Sequence, residues 1–491
     1  MDLAISLDLN NKDVPLHRQV YEELRKAILC GRLPAKHRVP STRTLSQSLG
    51  ISRTTVTISY EQLKSEGYIE TIIGSGTFVC AQIPDDLLCS TPVEHIQKIT
   101  RPQIQLSKYA HSLVKADVPG ITETLTTINF RYGRPAFDKF PMQIWHKLIS
   151  RHCPSVNCNW LDYSTDPKGY LPLRKAIVSY LSRSRAVKCG PEQVMIINGT
   201  QQALYLIMRL LIDTGDTMAL EEPGYLSARR VFLSQGAKLL PISVDSEGLM
   251  VEELKQYKNE SIKLVYVTPS HQFPTGAILS LPRRLELLAW ARQTGALIIE
   301  DDYDSEYRYG DRPIPALQGL DESDSVLYIG TFSKVLFPSL RIGYLVLPKS
   351  LASLFARAKW LNDRHLPLLE QYVLTDFIEE GHLERHIRKM RSHYDQCRQI
   401  LVQALKEHFG ERVKILGEKA GIHLMVKLQT PLSDEEIVQR AAMKGVGMLS
   451  ASPQYLGEGG VGEFIFGYSE LTEAQIKEGV FRLAEALNDL A

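Results

Sequence analysis

Two short segments carry side chains that could perform chemistry together. The first, Glu300-Asp301-Asp302-Tyr303, ends an apolar strand-like run, and the second, Thr331-Phe332-Ser333-Lys334, follows the next such run. A lysine amine forms a Schiff base with an aldehyde, and a carboxylate keeps a pyridine nitrogen protonated so that the ring acts as an electron sink. The sequence therefore predicts that Lys334 and one aspartate anchor pyridoxal phosphate (PLP).

Other segments have the features of a phosphate and ring site. Asn198-Gly199-Thr200-Gln201-Gln202 follows a predicted strand and opens a predicted helix, whose N-terminal amides would bind a phosphate. Tyr225 could stack on a flat ring, although a single tyrosine is more often a core residue. Strand alternation favours Asp301 over Asp302 as the ring partner, because Asp301 and Tyr303 then share one side of the backbone. Both aspartates remain candidates.

The length and composition set broad limits. A chain of 491 residues predicts two to four domains, and the formal net charge of +1 gives no global attraction to nucleic acid or membrane. The seven cysteines are scattered and include no C-x-x-C pair, which disfavours a disulfide framework or a zinc site. The N-terminus lacks the features of a signal peptide, and no apolar run reaches transmembrane length. We expect a cytoplasmic protein without a membrane partner.

Residues 12–80 predict a small helical domain. Leu16, Val20, Leu24 and Ile28 recur every four residues and indicate one amphipathic helix. A second short helix ends at Gly50, and Ser52 is a suitable N-cap for a third helix over 53–65. Two strands around Gly74-Ser75-Gly76 follow. Three helices and a hairpin predict a winged helix-turn-helix whose third helix reads DNA.

The predicted domain carries a local positive charge. Between Arg25 and Tyr60 there are seven lysines and arginines and no acid, which concentrates positive potential where phosphates would lie. Arg53 lies in the first turn of the predicted recognition helix, and Arg43 precedes the second helix. The remaining candidate contacts to DNA are Thr54, Thr55, Thr57 and Gly76. A solvated basic face on a protein-binding module is the alternative.

The rest of the chain predicts a linker and a large α/β domain. Prolines interrupt any period over 81–126, and polar residues dominate there, as in a linker. From 127 to 485, short apolar runs alternate with helical patterns, which predicts a mostly parallel sheet. The expected strands include 194–197, 264–268, 296–300 and 326–329.

The N-terminal motifs resemble a known family of reading heads. Pro40-Ser41-Thr42-Arg43-Thr44-Leu45, Leu49-Gly50-Ile51-Ser52-Arg53 and Gly74-Ser75-Gly76-Thr77-Phe78-Val79 are similar to the GntR family over about residues 14–79. Lys36 departs from the glycine that this family usually has before Pro40, and it could add a phosphate contact.

Residues 127–485 resemble the fold-type I aminotransferases. The resemblance implies an α/β PLP-dependent domain with a small C-terminal α+β subdomain, Lys334 as the Schiff-base lysine and Asp301 as the partner of the pyridine nitrogen. Tyr303 would lie near the ring hydroxyl, and Tyr225 would stack on the ring. The implied phosphate ligands are Gly199, Thr200, Thr331, Ser333 and Arg341, with Tyr163 reaching the phosphate of a partner subunit.

Two departures from the aminotransferase pattern bear on function. Phe273 replaces the asparagine that usually contacts the ring hydroxyl, so that His271 or Gln272 would have to substitute. In Glu463-Phe464-Ile465-Phe466-Gly467-Tyr468, Ile465 stands where an arginine usually binds the α-carboxylate of the substrate. Losing a bidentate arginine clamp should weaken ordinary amino-acid turnover.

The combined architecture is similar to the MocR/GabR subfamily of transcription regulators. The resemblance implies a homodimer that binds operator DNA and carries PLP on Lys334, with PLP, an amino acid or an amine as effector. A genuine aminotransferase with an accessory DNA-binding head is one alternative. A regulator whose large domain is only a dimerisation scaffold is another, although Asp301, Lys334 and Arg341 together argue against it.

Overall fold

The computed structural model describes residues 14–85, 104–115, 126–153, 161–257, 260–310 and 314–488. The chain divides into two compact units between Ile104 and Gln105. Among the described residues, every helix is too short or too polar to cross a bilayer. We call the first unit the head and the second the large unit.

The head is a three-helix domain with a hairpin. Ser41 and Ser52 cap the second and third helices by accepting hydrogen bonds from the amides of Thr44 (3.1 Å) and Thr54 (3.2 Å). The third helix has the bounds expected from the sequence. The elements are α1 (Leu16–Leu29), α2 (Thr42–Leu49), α3 (Arg53–Ser65), β1 (Ile69–Ile72) and β2 (Gly76–Val79).

A buried apolar core joins the three helices of the head to the hairpin. Val20 and Leu24 of α1 meet Leu45 of α2 and Val56 of α3, all at most 2% exposed. The hairpin closes over this core because Val79 is buried, and β1 and β2 pair antiparallel. The winged helix-turn-helix predicted from the sequence is confirmed.

Lys36 adopts an unusual backbone conformation. Its φ of 62° lies in the left-handed region, which costs an L-residue about 1–2 kcal/mol and costs glycine little. The Lys36 amide donates to the carbonyl of Val79 at 2.9 Å, so that the turn joins the wing. The geometry explains why glycine is usual at this position in the resembling reading heads.

Part of the expected linker forms a helix on the large unit. Helix α4 (Lys108–Lys115) packs against α8 (Leu226–Ser234), and the Ser112 hydroxyl donates to the carbonyl of Ser234 at 2.7 Å. This helix was not predicted from the sequence. Residues 86–103 and 116–125 of the expected linker lie outside the described residues, and the linker bounds of 81–126 stay a prediction.

A mostly parallel sheet organises the large unit. In the described part of the chain, eight strands pair in the order β4-β11-β10-β9-β8-β5-β6-β7, and β7 and β11 run antiparallel to their neighbours. The strands are β3 (Ile128–Asn129), β4 (Val194–Ile197), β5 (Thr217–Glu222), β6 (Lys238–Asp245), β7 (Gly248–Leu249), β8 (Ile262–Val267), β9 (Leu297–Asp302), β10 (Val326–Thr331) and β11 (Gly343–Val346).

Helices flank this sheet and bury its apolar strands. They are α5 (Met142–His152), α6 (Leu171–Arg185), α7 (Thr200–Leu211), α8 (Leu226–Ser234), α9 (Val251–Gln256), α10 (Leu281–Thr294), α11 (Leu317–Leu320), α12 (Lys349–Asp363) and α13 (Leu368–Glu379). Apolar residues from β4, β8, β9 and β10 enter the cores on the two faces, as strands covered on both sides require.

The C-terminal part is a smaller α+β subdomain. Its sheet has the order β12-β13-β16-β15, and the long helix α14 packs beside α16. The short strand β3 pairs with β14 and ties residues 128–129 to this subdomain. The elements are α14 (His382–Phe409), β12 (Val413–Leu416), β13 (His423–Leu428), α15 (Asp434–Met443), β14 (Val446–Gly447), β15 (Leu449–Ser450), β16 (Glu463–Gly467) and α16 (Glu473–Asn488).

Candidate functional site

A cavity of about 180 Å³ lies at the carboxyl ends of the central strands of the large unit. Ligand sites occur at this edge of α/β sheets because the loops that follow the strands converge there. Its lining contains nine of the residues that the sequence predicted, namely Gly199, Thr200, Tyr225, Asp301, Tyr303, Thr331, Ser333, Lys334 and Arg341.

Asp301 and Asp302 face opposite sides of strand β9. Asp301 lines the cavity, and one of its oxygens accepts a 2.7 Å hydrogen bond from the Tyr266 hydroxyl. Asp302 lies on the other side, where it pairs with the Arg185 guanidinium at 2.8 Å and accepts from Tyr328 at 2.5 Å. The geometry favours Asp301 as the residue available to a ligand in the cavity.

The buried carboxylate of Asp301 lacks part of its solvation. Burial raises its pKa to about 7, and the Tyr266 hydrogen bond and the charge of Lys334 oppose that shift. Its second oxygen, Oδ1, is buried and has no hydrogen-bond partner among the described residues. A cationic N–H donor in the cavity would satisfy that oxygen and stabilise the ionised form.

Lys334 extends into the same cavity from the turn after β10. Its amine donates to the carbonyl of Gly133 at 2.9 Å. Burial lowers the pKa of this amine, although the charges of Asp304 and Asp301 partly oppose the effect. A lowered pKa increases the fraction of neutral amine, which is the nucleophilic form. A side chain at Gly133 would collide with the amine, because its Cβ would lie 2.7 Å from Nζ.

One end of the cavity is built for an anion. Helix α7 begins at Thr200, directly after Gly199, whose φ of 79° favours glycine. The first amides of a helix have no internal acceptors and bind phosphate well. The guanidinium of Arg341 lies beside them, held by bonds to the carbonyl (2.8 Å) and side-chain oxygen (3.1 Å) of Asn198. Thr331 and Ser333 add hydroxyls to the lining of the cavity.

The other end of the cavity is largely aromatic. Phe273 lies 5.0 Å from Tyr132, 5.4 Å from Tyr225 and 5.3 Å from His423, measured between ring centroids. Behind Phe273 lies a buried apolar cluster to which Ile465 belongs. The sequence did not predict that Tyr132, Tyr266 and His423 would line the cavity. Of these, strand alternation from Thr268 could have revealed Tyr266.

His271 meets the hydroxyl of Tyr303 beside the cavity. The Tyr303 hydroxyl lies 3.1 Å from Nδ1 of His271 and donates to the carbonyl of His271 at 2.9 Å. The same ring nitrogen lies 3.0 Å from Asp304. His271 therefore reaches Tyr303, whereas Gln272 is bonded to Pro223 and Phe273. Of the two proposed substitutes for the missing asparagine, His271 is the better placed.

Tyr163 is the one predicted cofactor residue that lies outside the cavity. Its side chain is 75% exposed, and its neighbours are the His365 ring at 6.0 Å and the Arg364 guanidinium. The sequence prediction assigned it to the site of a partner subunit. An exposed position in a single chain agrees with that assignment and does not test it.

The head presents arginines on its surface, but two of its cations are compensated. Arg43 and Arg53 are exposed, at the start of α2 and α3 respectively. Arg25, in contrast, pairs with Asp85 at 2.7 Å, and Lys26 lies 3.9 Å from Glu23. The absence of acids between Arg25 and Tyr60 therefore does not leave these two cations without a carboxylate, because their partners lie outside that span.

The remaining candidate DNA contacts differ in availability. Thr54 is exposed, whereas Thr55 is half-buried and the hydroxyl of Thr57 already donates to the Arg53 carbonyl at 2.9 Å. Gly76 has a φ of 120°, and a Cβ there would lie 2.8 Å from the Arg38 side chain. Glycine at 76 thus lets the wing pack against Arg38.

Two family descriptions match the two units. "Bacterial regulatory proteins, gntR family" matches residues 16–79, and "Aminotransferase class I and II" matches residues 127–483. The chain is also 39% identical to the probable rhizopine catabolism regulatory protein MocR of Rhizobium meliloti, over 96% of this chain and 94% of that protein. The chain belongs to the MocR-type regulators of the gntR family.

Other relatives share the whole MocR-type architecture or its large unit. The pyridoxine biosynthesis transcriptional regulator PdxR of Corynebacterium glutamicum is 29% identical, over 99% of both chains. The α-aminoadipate aminotransferase LysN of Thermus thermophilus, solved with N-(5'-phosphopyridoxyl)-L-leucine, matches with a TM-score of 0.72 and 30% identity over 77% of this chain and 97% of that chain. The large unit therefore has the fold of PLP-dependent aminotransferases.

Proposed function

We propose that this transcriptional regulator binds operator DNA through its head and binds PLP in the cavity of the large unit. PLP, or an amine or amino acid that reacts with it, then changes how the head engages DNA. The observation that carries the proposal is the convergence of Lys334, Asp301 and Arg341 in one cavity of a chain that also has a gntR-type head. Regulation of genes by such a protein takes place in the cytoplasm.

The cavity residues fit PLP in three respects. The unpartnered Oδ1 of Asp301 is available to the protonated ring nitrogen. The N-terminus of α7 and the Arg341 guanidinium are available to the phosphate. Lys334, with a pKa lowered by burial, is available to the aldehyde. When bound, PLP would supply an electron sink that withdraws charge from an attached amine.

The protein groups would orient the cofactor and control its protonation. Asp301 would hold a proton on the ring nitrogen, and Tyr266 would hold Asp301 in place through the 2.7 Å hydrogen bond. Tyr303, fixed by His271, would face the ring hydroxyl. The aromatic rings of Tyr225 and Phe273 would exclude water from the ring face.

The head would engage the duplex through α3 and the wing. The N-terminal residues of a recognition helix contact base edges, and Arg53 and Thr54 occupy that position. Arg43, at the start of α2, would bind the phosphate backbone. Two heads in a homodimer would read two half-sites. Leu161, Tyr163 and Leu361 are exposed apolar side chains of the large unit, of the kind that an interface between two copies would cover.

Regulation requires that the two functions be coupled. An effector shifts DNA binding only if it binds the DNA-engaged and free states with different affinity. A coupling free energy of about 1–3 kcal/mol is typical and is enough to change promoter occupancy.

Lys334→Ala provides the decisive experiment. In the wild-type protein, borohydride reduction of the PLP-loaded form should fix the cofactor on Lys334, as peptide mapping would show. Operator affinity, measured by fluorescence anisotropy, should respond to PLP or to an added amine in the wild type and not in Lys334→Ala. Lys238→Ala is a control, because Lys238 is a lysine of the same unit that pairs with Glu260 outside the cavity.

Two results would contradict the proposal. Operator binding that is indifferent to PLP, to amines and to loss of Lys334 would leave the cavity without a regulatory role. Multiple turnovers with an amino acid and a keto acid, at the roughly 1–10³ per second of ordinary enzymes, would instead favour a genuine aminotransferase with an accessory head.

A further inference from the structure

The positive charges of the cavity are concentrated at the cofactor. Among the described residues that line it, the lysine and arginine side chains are Lys334 and Arg341. Arg341 is held against Asn198 at the phosphate end, and Lys334 is the residue to which the cofactor would attach. Both basic groups would therefore already be engaged by the cofactor when an effector enters the cavity.

Among the described residues, the remaining walls of the cavity offer no cationic partner for the carboxylate of an effector. They are formed by Tyr132, Phe273, Ile422 and His423. Burial lowers the pKa of His423 well below its usual range, so that its ring is neutral. Behind Phe273, the buried cluster of Met425, Ala451 and Ile465 is wholly apolar. A carboxylate placed here would lose its hydration without gaining an ion pair.

The buried acids near the cavity also favour a cationic ligand over an anionic one. Asp301 lines the cavity, Glu221 accepts from Thr268 of its lining at 2.6 Å, and Asp304 lies beside His271. The charge of Asp301 contributes to raising the pKa of Glu221, which shows that these carboxylates share one electrostatic environment. That environment attracts a cationic amine and repels an anion.

Arg230 is a cation near Tyr132 that could attract the carboxylate of an effector. Its charge opposes the burial that raises the pKa of Tyr132, so it lies within electrostatic reach of that ring. It is not among the residues that line the cavity. Its effect on binding can be tested directly by substitution.

We propose that the effector of this site is a primary amine without a carboxylate, with an aromatic or apolar body that packs against Tyr132 and Phe273. The proposal rests on the proposed function, because it names the ligand class of the same cavity. Tyr132 and Phe273 touch each other in a tilted arrangement, with 5.0 Å between ring centroids, and so form one continuous aromatic wall against which a flat or branched apolar group can pack.

The test uses pairs of ligands that differ only in the carboxylate. Full-length protein loaded with PLP is titrated with phenethylamine and phenylalanine, tyramine and tyrosine, and isoamylamine and leucine. The two readouts are the visible absorption of the bound cofactor and the operator affinity by anisotropy. Each amine should act at a concentration about 10-fold to 100-fold lower than its amino-acid counterpart, because only the amino acid buries an unpaired carboxylate.

Substitutions in the buried apolar cluster behind Phe273 sharpen the test. Ile465→Arg should raise the affinity for the amino acids at least about tenfold and leave the amines unimproved. Ile465→Met, which adds no charge, should keep the wild-type preference. Arg230→Ala should also keep it. If Ile465→Arg does not fold, the ligand pairs on the wild-type protein still decide the matter.

The outcomes separate the ligand class from the proposed function. Equal or tighter binding of the amino acids by the wild type would overturn the amine assignment, and so would the absence of any response to either member of a pair. In both cases PLP loading on Lys334 and a PLP-dependent operator affinity would show that the regulatory function stands. Loss of those two properties would overturn the proposed function itself.

Discussion

The head and the cavity both depend on charged side chains, but they hold them under opposite conditions. Arg43 and Arg53 are exposed to solvent, where water and ions screen their charge. Asp301 is 3% exposed, and burial raises its pKa to about 7. The difference indicates that the head recognises a ligand by displacing counterions, whereas the cavity recognises one by replacing lost hydration.

The largest effect that we expect from this comparison is the dependence of operator affinity on salt concentration. Operator affinity should fall about 10³-fold or more between 50 and 200 mM salt, if the two heads of a dimer make roughly six or more phosphate contacts. The affinity for PLP should change little over the same range, because the cavity is shielded. Parallel titrations by anisotropy and absorption would measure both. An equal loss of affinity for operator DNA and for PLP would contradict this comparison.

Arg53→Ala should have the next largest effect, confined to the head. Operator affinity should fall by about 1–3 kcal/mol if Arg53 reads a base, while PLP loading stays unchanged. Arg53→Lys separates charge from geometry, because lysine keeps the cation and loses the bidentate guanidinium. A lysine variant with wild-type discrimination among operator sequences would assign Arg53 to the backbone instead.

Asp301→Asn should change how stability depends on pH in the protein without PLP. The folded-state pKa of Asp301, about 7, lies above the ordinary value near 4, so the folded protein retains a proton that the unfolded chain releases. Stability therefore falls as pH rises from about 4 to 7. In Asp301→Asn, the free energy of unfolding should fall less steeply with pH, by about 1.4 kcal/mol per pH unit, which is the contribution of one proton. Thermal unfolding at several pH values would measure it.

PLP provides the internal control for that measurement. A protonated ring nitrogen beside Asp301 favours its ionised form, so saturation with PLP should flatten the wild-type slope. If wild type and Asp301→Asn show the same slope without PLP, the carboxylate is ionised throughout and its burial does not control its charge.

Lys36→Gly should give the smallest effect, and it concerns the head alone. Relief of the left-handed conformation should stabilise the head by about 0.5–1 kcal/mol, after the added freedom of glycine in the unfolded chain is subtracted. Lys36→Ala is the matched control, since it removes the charge and keeps the strain. Hydrogen exchange of α1 in the full-length protein would report the difference. Equal exchange in both variants would mean that strain at this turn is negligible.

Local sequence signals predicted the elements better than their long-range partners. The bounds of α3 follow from the Ser52 cap and the stop near Gly67, both local features. The predicted lysine and aspartate met in one cavity because consecutive parallel strands end at the same edge of a sheet. The separation of Asp301 from Asp302, in contrast, depends on Arg185 and Tyr328, which come from distant parts of the chain.

The dependence on distant residues also explains why the ion pair of Arg25 and helix α4 were not predicted. Arg25 and Asp85 are far apart in sequence, so no local pattern announced their ion pair. Helix α4 is short, and isolated helices of this length are marginal in water, so its contact with α8 is a long-range feature that local patterns do not reveal. Roles that depend on another subunit, such as that of Tyr163, lie beyond any pattern within one chain.

The described residues on either side of 86–103 are each bound to their own unit. Asp85 is bound to Arg25 of the head, and α4 is bound to the large unit through Ser112. Arg25 is half-buried and therefore differs from the exposed Arg43 and Arg53, because its loss would remove the ion pair with Asp85 instead of removing an exposed cation. A basic residue of the head can thus serve the attachment of the chain and not the recognition of DNA.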